Sequence, residues 1–189
     1  EEKQLLSAYR KELKDILKGN PYLDAKVGCG YQDFRDFACG RQFYVDKTHF
    51  VSEWIRSDAK VTLITRPRRF GKTTLLSTVE NFFDPSFSEH PENFEKLKVW
   101  QDSKARKWYG RIPVISVSFG SCKGATYIQA IGGMVSSLYT MYEAHEELLQ
   151  SKMLDGDDKA EYRSMRESFR KGNINHAEVA IPRLCRLLY

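Results

Sequence analysis

A glycine, a lysine and a threonine stand together at Gly71, Lys72 and Thr73, and these are the residue types that a phosphate-binding loop needs. A glycine lets the backbone approach an anion closely, a lysine supplies positive charge to the terminal phosphates, and a threonine hydroxyl can ligate Mg²⁺. Backbone N–H groups at a helix N-terminus add partial positive charge. The triplet therefore predicts a site in which Lys72 acts on the phosphates and Thr73 holds the metal.

Such a loop needs a strand before it and a helix after it, and the flanking sequence predicts both. Residues 61–65 are mostly apolar or β-branched, which is typical of a buried strand. Apolar residues recur at helical spacing over 75–83, and Asp84-Pro85 predicts the helix end, because a residue before proline avoids the α region. The strict motif has a glycine where this chain has Arg66. The alternative interpretation is a lysine at a helix N-terminus that binds nothing.

A second apolar stretch, residues 112–119, predicts another strand of the same sheet. Two strands joined by a crossover that contains a helix form a right-handed unit of a parallel sheet. We therefore expect an α/β fold with three layers. The other predicted helices cover 1–18, 49–56, 91–99, 126–150, 159–170 and a last segment that opens at Asn175 and contains Pro182; residues 22–41 are predicted as loop with a turn near 32–37, and 154–159 as a solvated acidic turn.

Length and composition limit the possible classes of protein. The 189 residues suit one domain or slightly more, and 41% hydrophobic and 13% aromatic residues predict a packed core. The net charge of +5 permits a polyanionic partner without establishing one. Four cysteines without a CxxC pair or zinc spacing favour a reducing, cytoplasmic setting. No apolar run reaches transmembrane length and the N-terminus is too charged for a signal peptide, so we expect no membrane association.

Three segments carry a resemblance to a known family. YVDKTHF at 44–50, VTLITRPRRFGKTTLLSTVENFF at 61–83 and IPVISVSF at 112–119 closely resemble the bacterial AAA-ATPase-like family. Its members typically carry YVDKT and then RPRRFGK followed by serine or threonine, so Arg66 follows the family's own pattern. The resemblance covers residues 27–189 and leaves 1–26 as an N-terminal helical extension.

The resemblance implies an AAA-like P-loop NTPase fold, with ATP and Mg²⁺ as ligands. Lys72 would be the catalytic phosphate ligand and Thr73 the metal ligand. The rest of the nucleotide-binding loop would be Arg66, Pro67, Arg68, Arg69, Phe70, Gly71 and Thr74. Asp46 and Lys47 would flank the base or shape the nucleotide pocket; the alternative is that Asp46 caps a helix and Lys47 is solvated.

Family members usually continue into a Walker B strand and often into a nuclease-like domain of the PD-(D/E)XK type, and this sequence carries neither. We therefore expect an incomplete, N-terminal portion of an ATPase or ATP-driven switch that does not hydrolyse ATP by itself. One alternative is a non-hydrolysing interaction module that binds nucleotide. Another is a nucleic-acid-binding module that uses the arginines and the basic aromatic run 104–109. Further candidate partners are a second copy of the chain and a downstream nuclease-like domain.

Overall fold

A computed structural model describes residues 30–38 and 42–189, and the chain divides into two compact units, Glu1–Ile112 and Pro113–Tyr189. The predicted helix 1–18, the proposed extension 1–26 and two of the cysteines, Cys29 and Cys39, lie outside the described residues. None of the helices in the described part of the chain has the length and apolar character needed to cross a membrane.

The predicted three-layer α/β fold is wrong, because the described residues form helices and contain no strand or sheet. Residues 61–67 and 113–119, both predicted to contain strands, have no regular secondary structure. Val61 and Leu63 are 87% and 84% exposed, so the first segment buries neither side chain as a covered strand would. In the second segment, Ile115 packs on the helical core of its own unit. The apolar residues of the second segment thus pack against helices, whereas the sequence predicted that they pair with a neighbouring strand.

The first unit holds five described helices: α1 (Phe34–Ala38), α2 (His49–Ser57), α3 (Lys72–Phe83), α4 (Lys98–Gln101) and α5 (Ser103–Arg106). The helices predicted over 49–56 and 75–83 are confirmed. The single helix predicted over 91–99 is wrong, because this stretch forms a 3-10 turn at Pro91–Asn93 and then the start of α4. Residues 34–38, partly predicted as a turn, form the short helix α1.

Aromatic side chains form much of the described core of the first unit. The rings of Phe34 and Phe94 stack with centroids 4.6 Å apart, and Phe82 of α3 lies edge-on to Phe94 at 5.4 Å. Tyr109 packs edge-on against Phe82 at 5.6 Å. Aromatic pairs in these geometries contribute beyond their buried area. The C-terminal half of α3 is therefore fixed, which positions the helix N-terminus at Lys72.

The second unit contains α6 (Tyr127–Glu143), α7 (Gly156–Arg170) and α8 (Ala177–Leu188). The helix predicted over 126–150 ends at Glu143 and is followed by a 3-10 turn at Glu146–Gln150. The predicted acidic turn is in part the start of α7, where the Asp155 carboxylate caps the helix by accepting the Asp158 N–H at 2.8 Å. The predicted Asn175 cap is wrong, because His176 precedes the first turn of α8.

A cluster of buried residues from α6, α7 and α8 forms the core of the second unit. The Tyr142 hydroxyl donates to the Ala180 carbonyl at 2.9 Å, and the Tyr162 hydroxyl donates to the Tyr142 carbonyl. Burial raises the pKa of Tyr142 to about 12 and also raises the pKa of Tyr162. Both hydroxyl groups therefore stay protonated and keep the three helices joined by hydrogen bonds.

Candidate functional site

The loop between Arg66 and Gly71 turns sharply before it becomes α3. Gly71 has φ 74° and Arg69 has φ 66°, so both residues adopt the left-handed region. A glycine adopts that conformation at no steric cost, whereas a non-glycine residue there is uncommon. Gly71 precedes the first helical residue, and its carbonyl accepts the Leu75 N–H at 2.9 Å. The first N–H groups of α3 have no acceptor within their own helix, so they form a donor set at the loop.

The Lys72 side chain forms hydrogen bonds to the backbone at the other end of the loop. Its Nζ atom donates to the carbonyl oxygens of Arg66 at 2.5 Å and of Pro67 at 2.9 Å. Both acceptors are neutral, so the ammonium keeps its full charge while the loop curves around it. An anion beside the loop would therefore meet this charge without first breaking an ion pair.

The YVDKT segment contacts the same loop through Lys47, whose Nζ atom donates to the Phe70 carbonyl at 2.8 Å. Its two neighbours serve as anchors. Asp46 accepts the Lys98 N–H at 2.9 Å, and the buried Thr48 hydroxyl oxygen accepts the Val99 N–H at 3.1 Å. The segment is thereby pinned to the start of α4. The Asp46 carboxylate accepts hydrogen bonds from Thr48 and from the Lys98 N–H, so its observed contacts are structural. Asp46 does not line any of the three cavities around Gly71.

Three cavities open around Gly71. The loop cleft, about 580 Å³, lies beside residues 62–66. The arginine cleft, about 760 Å³, lies beside Arg68 and residues 30–32. The aromatic pocket, about 310 Å³, lies beside Phe37 and residues 43–45. It shares part of its lining with each of the other two cavities.

Five cationic residues of the first unit line these cavities: Lys47, Arg66, Arg68, Arg69 and Lys72. No aspartate or glutamate stands among the described residues that line any of the three. In the described part of the chain, none of the three arginines forms an ion pair with a carboxylate. Several positive charges in one region make the electrostatic potential there more positive, so the surroundings of Gly71 favour the binding of an anion.

The other predicted site residues lie around the same loop. Thr73 is exposed and, with Thr74, lines the arginine cleft; the Thr74 carbonyl accepts the Thr78 hydroxyl at 2.8 Å. Pro67 is exposed and contributes its carbonyl to Lys72. The described residues contain no group of three or more histidine, cysteine, aspartate or glutamate side chains arranged to hold a metal. Thr73 thus remains a predicted metal ligand that the described geometry does not test.

Sequence reasoning missed the aromatic wall beside the loop. Phe37, Phe43 and Tyr44 line the aromatic pocket together with Phe70. The sequence predicts a loop over residues 22–41, and the density of aromatic residues there is the signal that some of them line a cavity. Nothing in the linear pattern placed those rings beside Gly71, because they come from α1 and from the chain between α1 and α2.

Hydrogen bonds through the Ser77 hydroxyl join the start of α1 to α3. The Phe34 N–H donates to the Ser77 hydroxyl oxygen at 3.0 Å, and that hydroxyl donates to Asp33 at 3.3 Å. Asp33 pairs with Arg35 at 2.5 Å, and the hydrogen bond from Arg35 holds the pKa of Asp33 below its usual range. Asp33 is therefore ionised at neutral pH. These contacts set the position of Phe37, which follows on the same short helix.

Part of the basic aromatic run 104–109 packs into the first unit. Ala105 is buried, Tyr109 packs in the aromatic core, and the Arg106 guanidinium lies 5.8 Å from the centre of the Trp100 ring. Trp108 is 46% exposed. Ala105 and Tyr109 therefore serve packing, and Trp108 is the exposed aromatic residue of the run. The run does not present the continuous row of exposed aromatic rings that single-stranded nucleic acid would stack on.

Comparison with known proteins gives the family. A family model described as a predicted AAA-ATPase matches residues 28–180. The chain belongs to the AAA-ATPase-like family. An uncharacterized protein in the vnfD 5′ region of Azotobacter chroococcum mcd 1 is 32% identical over 124 residues, which are 62% of this chain and 21% of that protein. The chain thus spans about a fifth of the length of this curated relative. No solved structure matches the chain.

Membership of the AAA-ATPase-like family agrees with the resemblance on which the sequence analysis relied, and it predicts an ATPase-like function with nucleotide use. The matched range begins close to the predicted boundary at residue 27 and contains the whole loop with its cationic surroundings.

Proposed function

We propose that this chain binds ATP with Mg²⁺ at the loop formed by residues 66–73, as the nucleotide-binding part of an ATPase or ATP-driven switch. One observation carries the proposal: five cationic side chains surround a glycine-led helix N-terminus, and the described lining of the three cavities there contains no carboxylate. A triphosphate is the anion that this charge and the family both favour.

The residues present fit a bound nucleotide. Gly71 keeps the backbone accessible, since a side chain at this left-handed position would be strained. Lys72 would exchange its two loop carbonyls for phosphate oxygens, and Thr73, exposed on the first turn, would offer its hydroxyl to Mg²⁺. Bound Mg²⁺ would neutralise phosphate charge. Arg66, Arg68 and Arg69 would pair with the phosphates by their forked guanidinium groups.

Lys47 and Asp46 would support this site without forming its centre. Lys47 holds the Phe70 carbonyl and lines both the loop cleft and the aromatic pocket, so its charge adds to the field at Gly71. Asp46 acts through its bonds to the backbone of α4. In this proposal Asp46 is a positioning residue, and Lys47 both positions the loop and attracts the anion.

The second candidate function is a non-hydrolysing nucleotide-binding module. The lack of carboxylates in the described lining of the three cavities favours it. Phosphoryl transfer needs an acid to hold the metal and a group to orient the attacking water. The described lining of the three cavities contains no carboxylate that could hold the metal or orient the water. Binding without turnover by this chain is therefore the expected behaviour, and the activity of a longer protein remains a proposal.

Titration calorimetry with ATP and Mg²⁺ tests the proposal on the wild type and on Lys72→Ala. A charge-assisted hydrogen bond typically contributes about 1.5–3 kcal/mol, so we expect roughly tenfold or greater loss of affinity. Lys60→Ala is the matched control, because Lys60 is exposed in the same unit and lines none of the three cavities at Gly71. Equal ATP affinity for the wild type and Lys72→Ala would refute the assignment.

A further inference from the structure

We infer that the aromatic pocket lined by Phe37, Phe43, Tyr44 and Phe70 is the subsite for the nucleobase, which it binds by stacking. The inference rests on the proposed function and deepens it. It assigns a binding role to three residues, Phe37, Phe43 and Tyr44, for which the sequence analysis gave none.

The first argument is continuity with the phosphate-binding loop. The aromatic pocket shares Gly71 and Thr74 with the arginine cleft, and it shares Gly71 and Lys47 with the loop cleft. A ligand whose phosphates lie at the start of α3 can therefore extend directly into the pocket. Its volume of about 310 Å³ lies at the lower end of the ~300–1,000 Å³ usual for ligand cavities. That size suits the ring system of one nucleobase, and the two larger clefts remain available for the phosphates.

The second argument is the chemistry of the lining. Four aromatic side chains face one small cavity, and aromatic faces bind any base through its π-face. Phe43 is 44% exposed and Phe70 is 57% exposed, so both rings retain open surface beside the loop. The Tyr44 hydroxyl lies 3.3 Å from the Thr78 hydroxyl, and the Phe37 and Tyr44 rings are 5.7 Å apart. The deeper rings are thus held in place by packing, which lowers the entropic cost of stacking.

The loop cleft is the rival location for the base. Its apolar lining includes Leu63, which is 84% exposed on a segment without regular structure. The aromatic rings in its described lining are two phenylalanines, Phe50 and Phe70, and the imidazole of His49. The aromatic pocket is bounded by α1, which the Ser77 hydroxyl bonds to α3. A preformed aromatic wall is the better site for a flat base, because less of the surface must be ordered on binding.

The test separates recognition of the base from recognition of the phosphates. Calorimetry would compare ATP with inorganic tripolyphosphate, both with Mg²⁺, on the wild type, Phe43→Ala and Phe43→Tyr. Loss of one stacking ring should weaken ATP binding roughly tenfold. Tripolyphosphate affinity should be unchanged, and Phe43→Tyr should retain ATP affinity because it keeps the ring. Tyr127→Ala removes an exposed aromatic residue of the other unit and is the matched control.

Each outcome decides a different point. Selective loss of ATP affinity in Phe43→Ala supports the subsite. Equal loss of ATP and tripolyphosphate affinity would overturn it while leaving phosphate binding intact. Selective loss of ATP affinity in Leu63→Ala, with Phe43→Ala unaffected, would place the base in the loop cleft and overturn it. If the wild type binds neither ligand, the proposed function fails and the subsite fails with it. Phe37→Ala provides a second ring deletion, with its circular dichroism spectrum as the check on folding.

Discussion

Lys47 donates a hydrogen bond to the carbonyl oxygen of Phe70 across 2.8 Å, joining two segments that lie 23 positions apart in the sequence. One end of this bond belongs to the YVDKT segment and the other to the candidate phosphate-binding loop. Asp46 and Thr48, on either side of Lys47, are fixed to the backbone of α4. The position of the loop therefore depends on a lysine whose own backbone is held from two sides.

The first prediction concerns Lys47. Lys47→Met removes both the bond to the Phe70 carbonyl and a positive charge at Gly71, so ATP affinity should fall severalfold. Because the bond lies at the surface, the thermal unfolding midpoint should hardly change. Lys47→Arg retains the charge and should recover part of the affinity. Calorimetry and thermal melts measure both effects, and undiminished ATP affinity in Lys47→Met would contradict a role in the site.

The second prediction concerns Arg68 and Arg69, which both line the arginine cleft. Changing both to glutamine should weaken ATP binding by at least about tenfold, because each guanidinium can form a charge-assisted bond to phosphate. The matched control is the double variant Arg111→Gln/Arg163→Gln, which removes two exposed arginines and the same charge. If instead ATP affinity holds while the salt dependence of DNA binding falls by about one per lost contact, the arginines serve nucleic acid.

The third prediction concerns catalysis. This chain should bind ATP yet release little or no phosphate, because the described lining of the cavities offers no carboxylate to hold Mg²⁺ or orient water. A phosphate-release assay on this chain, beside Lys72→Ala and a longer version of the protein, measures the effect. Turnover by the chain alone that disappears in Lys72→Ala would show that the catalytic acid lies within these 189 residues.

The fourth prediction uses the adjacent glycines of α6. A side chain at Gly133 would come within 2.7 Å of the Ser121 carbonyl oxygen and 2.8 Å of the Cys122 Cα atom, whereas Gly132 has open space. Gly133→Ala should therefore destabilise the protein by about 1–3 kcal/mol through overpacking. Gly132→Ala should stabilise it by up to about 1 kcal/mol through helix propensity. Denaturant unfolding of the pair gives the comparison, and two effects of the same sign would contradict the packing seen at Gly133.

The fifth prediction concerns alkaline pH. Burial raises the pKa of Tyr142 from its ordinary value of 10.0 to about 12. The folded state therefore binds the proton more tightly, so this contribution to stability is complete below pH 10 and is lost as the pH rises towards 12. Tyr142→Phe gives up the bond to the Ala180 carbonyl, which costs about 1 kcal/mol at neutral pH, but it has no proton to lose.

The free energies of unfolding of the wild type and Tyr142→Phe should therefore converge as the pH rises. Unfolding in denaturant at stepped pH values measures the gap between them. Tyr127→Phe, at a tyrosine that is 80% exposed, serves as the control and should follow the wild type throughout. Parallel pH curves for the wild type and Tyr142→Phe would argue against a strongly buried hydroxyl.

Features that depend on local interactions could be predicted from the sequence. Helical spacing over 75–83 and the Asp84-Pro85 end predicted α3, and the Gly71-Lys72-Thr73 triplet correctly marked its N-terminus. Caps, turns and helix periodicity arise among neighbours in the chain, so their residue types reveal them. Gly132 and Gly133 are neighbours in the sequence, yet of the two only Gly133 lies close to other atoms, a difference that depends on tertiary packing.

The packing partner of each segment could not be predicted from the local sequence. Residues 61–65 carry a strand-like pattern yet form no strand, with Leu63 exposed, because a strand needs a partner that local sequence cannot specify. The contact between Lys47 and Phe70, and the aromatic wall with Phe37 beside Gly71, join residues far apart in the chain. Such contacts depend on how the helices pack, and many packings are compatible with the same local pattern.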